Sequence, residues 1–317
     1  MTAAAPLAER ARALFARTQD EICTAVERLD GGRFHEDVWE HRPTSGPGGG
    51  GGTTRVIAGG ALVEKGGVNL SALTGELSPR LADRLGVAPQ TFYAAGISVV
   101  LHPQSPMIPA VHLNLRYLEL RGATPTGPRR AWFGGGADLT PFYLFEDDAR
   151  HFHLCLKRAC DAYDPTAYGQ FKPACDAYFF LRHRGEARGV GGIFFDYLDQ
   201  EHERSLALAG EVARAFLDAW PTIATRRRSE SWGEAERAWQ LVRRGRYVEF
   251  NLIHDRGTLF GLETEGRTES ILISLPPLVR WDYDHAPDPG SREAALVDVL
   301  RHPCDWAGSG LDVAAGS

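Results

Sequence analysis

Apolar and polar residues alternate strictly over 111–117. Val111, Leu113, Leu115 and Tyr117 form one set, and His112, Asn114 and Arg116 form the other. Successive strand side chains point to opposite faces. The pattern therefore predicts a strand that buries the first set and lines up an imidazole, an amide and a guanidinium on its other side. Burying such a row without partners would be costly, so it suits a site for an anionic, hydrogen-bonding ligand. The solvated outer face of an edge strand fits the same pattern. Residues 91–101, rich in aromatic and β-branched side chains, read as another strand that delivers Ser98 and His102 toward its end. Residues 55–65 read as a hairpin turned at Gly59-Gly60, and 192–197 as a further strand.

Helical spacing appears over 7–29, where Leu7, Ala11, Leu14, Ile22, Val26 and Leu29 recur before Asp30-Gly31-Gly32 ends the pattern. Residues 78–85 predict a short helix with Pro79 in its first turn. Longer helices are expected over 146–163, 170–184, 202–220, 232–244 and 291–301. Strands are expected over 246–254 and 258–263, about a turn at 255–257, and then over 270–275 and 278–283. The glycine-rich stretch 46–52 reads either as a flexible linker or as a flap whose bare backbone can approach a ligand. No internal repeat or domain linker is visible. Strands joined by short turns, with helices inserted in blocks, predict an α+β fold with a mostly antiparallel sheet.

Composition narrows the function. The chain has 317 residues, 43% hydrophobic and 24% charged, an ordinary balance for a globular protein. No apolar run is long enough to span a bilayer. Glu9, Arg10, Arg12 and Arg17 interrupt any signal-peptide core, so a cytoplasmic location is expected. The five cysteines form no C-x-x-C pair, and their odd number favours free thiols. A net charge of -6 makes nucleic acid a poor partner. An acidic protein that binds an anion must concentrate arginine locally. Arginines do cluster, at 182, 184 and 188 and again at 243, 244, 246, 256, 267 and 280.

Candidate chemistry rests on His102, His112, His151, His153 and His183, and on Asp138. Histidine can act as acid, base or metal ligand, but none of these has the spacing of a metal motif such as H-E-x-x-H. Gly134-Gly135-Gly136 before Asp138 is neither G-x-G-x-x-G nor a P-loop. The three glycines permit an irregular backbone that presents the Asp138 carboxylate into a cavity. They equally permit a tight turn, with Asp138 capping a helix after Pro141. No serine nucleophile elbow, Cys–His pair, flavin motif or haem motif is present.

At these residues the chain resembles the oxygen-dependent coproporphyrinogen-III oxidases of haem biosynthesis. The strings that carry the resemblance are G-I-S-V-V-L-H-P (96–103), V-H-L-N-L-R-Y (111–117), W-F-G-G-G-A-D-L-T-P-F-Y (132–143) and E-D-D-A-R-H-F-H (146–153). Three longer ones, 178–196, 243–262 and 266–281, complete them. The resemblance runs from about residue 34 to 306, with 1–33 as an N-terminal helix before it, and 43–52 look expanded against the family's glycine loop. It implies a single domain, 1–317, with a large antiparallel sheet flanked by helices on both faces. The implied reaction converts two propionates of coproporphyrinogen III to vinyls, giving protoporphyrinogen IX. Dioxygen is the co-substrate, and no flavin or nicotinamide takes part. His112, Asp138 and Arg188 are the implied catalytic residues. Ser98, Asn114, Leu115, Arg116, Glu265, Gly266 and Arg267 are the implied substrate-binding residues, with Arg116, Arg188 and Arg267 holding propionates. His102, His112, His153 and His183 match positions assigned to a divalent metal, although an electron-rich porphyrinogen can react with O2 without one. A homodimer through about 247–282 is implied too. Two rival readings stay open: a His-ligated metal oxygenase acting on another anionic substrate, and a non-catalytic tetrapyrrole carrier.

Overall fold

The sheet follows the chain almost in order. β1 (His35–His41), β2 (Gly49–Ala58), β3 (Val63–Glu76), β4 (Thr91–Pro103), β5 (Ala110–Arg121) and β6 (Arg129–Thr140) each pair antiparallel with the next. After a helical insertion, β9 (Gly191–Leu198) closes the far edge against β6. A separate two-stranded ribbon is formed by β7 (Phe180–Leu181) and β8 (Glu186–Ala187). The helices are α1 (Leu7–Asp30), α2 (Glu146–Tyr163), α3 (Ala167–Tyr178), α4 (His202–Arg227), α5 (Glu234–Ile253), α6 (Arg256–Glu263), α7 (Thr268–Leu272) and α8 (Arg292–Arg301). This is a computed structural model, and it describes residues 5–42, 47–77, 79, 82–83, 86–88, 90–122, 129–263 and 266–308.

The alternation in 111–117 does what its period dictates. Val111, Leu113, Leu115 and Tyr117 are all at most 2% exposed. They join Ile97, Val99, Leu101, Ala137, Leu139 and Ile193 on a core face that packs against Phe15, Ile22 and Val26 of α1 and Phe216 and Trp220 of α4. Gln19 Nε2 donates to the Thr53 and Val68 carbonyls, tying α1 to the sheet where a purely apolar helix could slide. The opposite, polar face lies under α5 and residues 266–275. Asn69 donates to the Ser270 carbonyl, His102 bonds to the Ser274 carbonyl, and Gln240 and Arg244 donate to the Pro103 carbonyl. Helices thus cover both faces of one antiparallel sheet, an α+β arrangement.

Several elements differ from the expectations. Residues 246–254 are not a strand but the end of α5, and 258–263 belong to α6. The aromatic and β-branched side chains of this stretch suggest strand. Yet Val242 to Val248 are buried without a break, and a helix enclosed in this way satisfies its own backbone hydrogen bonds with no strand partner. Residues 270–275 hold the end of α7 and a turn, and 278–283 form no regular element. The expected helix 170–184 stops at Tyr178, and 180–187 turn back as the β7–β8 ribbon. Gly50 to Gly52 are strand paired with both β1 and β3, and Gly49 pairs with β3 alone, so these residues form sheet and not a flexible linker. Pro43, Thr44, Ser45 and Gly46 lie outside the described residues, as does most of 78–85, of which Pro79, Ala82 and Asp83 are helical. Gly134 to Gly136, read as irregular backbone or a tight turn, lie inside the continuous strand Arg129–Thr140. At Gly136 β9 comes close: a Cβ there would stand 2.1 Å from the Ile193 carbonyl oxygen. Glycine serves close strand approach here, not disorder.

Candidate active site

Strand register assembles the site as a grid on the polar face. One row runs Gly67, Val100, His112, Asp138, Gly192. The next runs Asn69, Ser98, Asn114, Gly136, Phe194. The third runs Ser71, Gly96, Arg116, Gly134. Residues far apart in sequence meet because antiparallel partners share a face.

Asp138 anchors the first row from below. It is 1% exposed, and its pKa is set by a contest. Burial alone would push the carboxyl up. The Arg188 charge and the hydrogen bond and charge of His112 outweigh it and hold Asp138 below the ordinary carboxylate value. Arg188 Nη2 lies 2.9 Å from Oδ1, and its Nε 3.2 Å from Oδ2. His112 Nδ1 lies 2.8 Å from Oδ1. An ionised acceptor places the proton of the imidazole on Nδ1. That leaves Nε2 with no protein partner among the described residues, on a ring that is partly exposed. Asp138 caps no helix; α2 begins only at Glu146.

Arg188 is itself enclosed. Its guanidinium carbon lies 4.1 Å from the ring centre of Phe179, 4.5 Å from Tyr247 and 4.9 Å from Phe250. Its remaining donor, Nη1, bonds Asn251 Oδ1 at 2.7 Å. At 3% exposure, with Nε, Nη1 and Nη2 all turned to Asp138 and Asn251, Arg188 presents no accessible donor to a propionate on the sheet face. The implied role of holding substrate is corrected: Arg188 supports Asp138 from behind.

Arg116 and Arg267 are differently placed. Arg116 is about one-third exposed, bonds Asn114 Oδ1 at 3.3 Å and pairs with Asp196 at 2.7 Å. Arg267, also partly exposed, pairs with Asp37 of β1. Gly266 donates its N–H to the Gly261 carbonyl. Glu265 lies outside the described residues. The Leu115 side chain is fully buried in the core behind the sheet, as strand alternation requires, so only its backbone borders the polar face.

A family model described as coproporphyrinogen III oxidase matches residues 10–306. The chain belongs to the coproporphyrinogen III oxidase family. It is 49% identical to the chloroplastic oxygen-dependent coproporphyrinogen-III oxidase of Glycine max, over 91% of this chain and 76% of that protein. It is 48% identical to the oxygen-dependent coproporphyrinogen-III oxidase of Synechococcus sp. (strain CC9902), over 95% of this chain and 88% of that one.

The histidine set that the family resemblance implies for a metal is not brought together. His102 is fully buried and donates through Nε2 to the Ser274 carbonyl at 2.8 Å. His153, equally buried, is 3.1 Å from the Val190 carbonyl through Nε2 and 2.9 Å from the Tyr168 hydroxyl through Nδ1. His183 sits at the surface between Glu249 and His254, and His112 is held by Asp138. Among the described residues, no three His, Cys, Asp or Glu side chains form a group that could hold a metal ion. These four histidines do not fit one metal.

Two of them bear on stability. Burial pushes both His102 and His153 down to about 3, helped by the charges of Arg244 and Lys172 respectively. Their ordinary value is 6.5. The unfolded chain therefore takes up protons below about pH 6.5 that the folded chain refuses. Stability is full above that pH and falls as pH drops toward 3. Each histidine contributes a slope of about 1.4 kcal/mol per pH unit. Thermal melts should show stability declining from about pH 6.5 to 5, before most carboxylates titrate. A flat melting temperature across that window would contradict it.

The sequence reading passes over Asp196, Asn251, Asn69 and the Phe179–Tyr247–Phe250 cage. The alternation of β9 carries a signal for the first, since Gly192, Phe194 and Asp196 fall on one face. Asn251 and the cage carry none, because they depend on helix α5 being a helix.

Proposed function

We propose that the protein oxidatively decarboxylates two propionates of coproporphyrinogen III, giving protoporphyrinogen IX, with His112, Asp138 and Arg188 as its acid–base centre. The observation that carries this reading is the buried Arg188–Asp138–His112 chain. It ends at a free Nε2 beside Ser98, Asn114 and Arg116 on one polar sheet face. For each propionate, the bond to the carboxyl carbon breaks and CO2 leaves. The methylene next to the pyrrole gives up a hydrogen with two electrons. Dioxygen takes both electrons, that proton and one more, and leaves as hydrogen peroxide.

His112 takes a proton from solvent at Nε2 and passes it to the reduced oxygen, so the ring is an imidazolium between the two transfers. Asp138 holds the ring in the required tautomer and stabilises the imidazolium. Because Asp138 is buried and both its oxygens are occupied, it acts through His112, not directly on a pyrrole N–H. Ser98 and Asn114 orient the macrocycle, while Arg116 and Arg267 receive carboxylates.

The direct experiment incubates metal-stripped protein with coproporphyrinogen III in air and identifies the product by chromatography. Protoporphyrinogen IX with O2 consumption is expected. No O2 consumption would favour the carrier, and turnover only after one metal is restored would favour the metal oxygenase. In the same assay Arg116→Ala should raise KM by about tenfold with a smaller change in kcat, because a carboxylate contact is made in ground and transition states alike. A purely kcat effect would remove Arg116 from substrate binding.

A homodimer is part of the proposal. The strands expected over 270–275 and 278–283 do not form, and Ile273 is spent against Gly67. The same region instead exposes Leu252, Ile253, Leu259, Leu262, Leu278 and Trp281, each at least 38% accessible. Such a concentration of apolar surface suits an isologous interface. Light scattering at micromolar concentration should return twice the chain mass; a monomer would refute it. A cytoplasmic location is proposed as well, testable by cell fractionation. No helix among the described residues is long and apolar enough to cross a membrane.

A further inference from the structure

β6 and β9 lose register beside Arg116. Phe133 pairs with Leu198 and Gly135 with Phe195, so Asp196 and Tyr197 together oppose the single residue Gly134. This is a β-bulge. Tyr197 within it has φ +56°, a left-handed conformation that is uncommon for a bulky residue. Bulges re-aim side chains, and strained backbone persists where the surroundings hold it. What this one aims is Asp196. Its Oδ1 accepts the Tyr197 N–H at 3.0 Å, and its Oδ2 lies 2.7 Å from Arg116 Nη2. Gly134 leaves the space for the pair: a Cβ there would stand 2.6 Å from Asp196 Oδ1 and 2.8 Å from Arg116 Nε. Phe194, one residue row away, lies under the same guanidinium at 5.8 Å. Bulge, strained Tyr197 and bare Gly134 all converge on one ion pair at the polar face.

We propose that Asp196 is the exchangeable counter-ion of Arg116, holding the guanidinium in place in the empty site, yielding it to a substrate carboxylate, and recapturing it when that carboxylate departs. This rests on the reading of Arg116 as a propionate contact. Asp196 is a positioning residue; it touches Arg116, not the reacting atoms. The pair is suited to exchange because it is partly solvated, unlike Arg188–Asp138. Solvated pairs are weak enough to open without a large barrier. Asp196 competes with the substrate for Arg116, so removing its charge should strengthen substrate binding.

The test uses Asp196→Asn, which keeps an Oδ1 acceptor for the Tyr197 N–H and so preserves the bulge; an unchanged melting temperature checks this. The probe is coproporphyrin III, the oxidised tetracarboxylate, titrated by fluorescence. Asp196→Asn should tighten its Kd by about two- to fivefold, the scale of a partly exposed ion pair. KM for coproporphyrinogen III should fall by the same factor, with kcat unchanged or lower. In an Arg116→Ala background the same substitution should give no gain. Weaker or unchanged binding in Asp196→Asn overturns the proposal. An equal gain with and without Arg116 also overturns it, by reducing the effect to general charge removal. If Arg116→Ala alone leaves Kd and KM at wild-type values, the reading of Arg116 itself has failed, and that outcome is distinguishable from the other two.

Discussion

Asp138→Asn is expected to lower kcat by about 10²–10⁴-fold while leaving KM within a few-fold. The substitution keeps the shape of the side chain and an oxygen able to accept from His112 or Arg188. It removes the negative charge that sets the Nδ1–H tautomer of His112 and stabilises the imidazolium. That stabilisation acts on the charged ring that carries the proton and not on the bound substrate, so its loss falls on turnover, not on binding. His112→Asn should give a loss of similar size, and combining the two should add little, because they act as a unit. Kinetics on the three variants, with product identified by chromatography, measure this. If Asp138→Asn turns over normally, or if the two losses multiply, the relay from Asp138 through His112 is wrong.

Arg188→Ala should be the most damaging substitution to the fold at this site, costing about 3–5 kcal/mol. Asp138 would then be buried with only His112 as a partner, and the Phe179–Tyr247–Phe250 cage would surround a void. Arg188 also joins α5 to the sheet through Asn251, so the helix over the polar face would loosen. The double variant Asp138→Leu with Arg188→Met should recover much of the stability, since a buried pair replaced by apolar groups is often neutral or better. It should remain inactive. Urea unfolding of the single and double variants decides the matter. An Arg188→Ala protein as stable as wild type would mean that water, not Arg188, satisfies Asp138.

Much of this was legible along the chain. Period-two alternation in 111–117 is a local property, and it placed His112, Asn114 and Arg116 on one face whatever the rest of the chain did. Helical spacing marked α1, α2 and α8 for the same reason. The long matching strings gave the family, and with it the candidate residues of the site. Local pattern failed where two periods compete. Residues 246–254 have strand-forming side chains, and only their enclosure against β7, β8 and the polar face makes them helix. The glycines at 49–52 and 134–136 suggested loops because a sequence cannot show that a neighbouring strand comes within contact distance of their missing side chains.

The roles within the site were decided by tertiary structure alone. Composition and motif cannot distinguish an arginine on the open sheet face from one sealed behind a carboxylate. Arg116 and Arg188 are identical as residues, and they differ because one stands on the open part of the sheet face and the other inside an aromatic cage. The four histidines form a plausible set by count, yet backbone carbonyls, a tyrosine hydroxyl and carboxylates claim them separately. The sequence by itself determined the alternating face, the helix starts and the family. Strand register and helix docking decided which groups meet, because contacts between residues distant in the chain depend on the packing of whole elements and not on any local period.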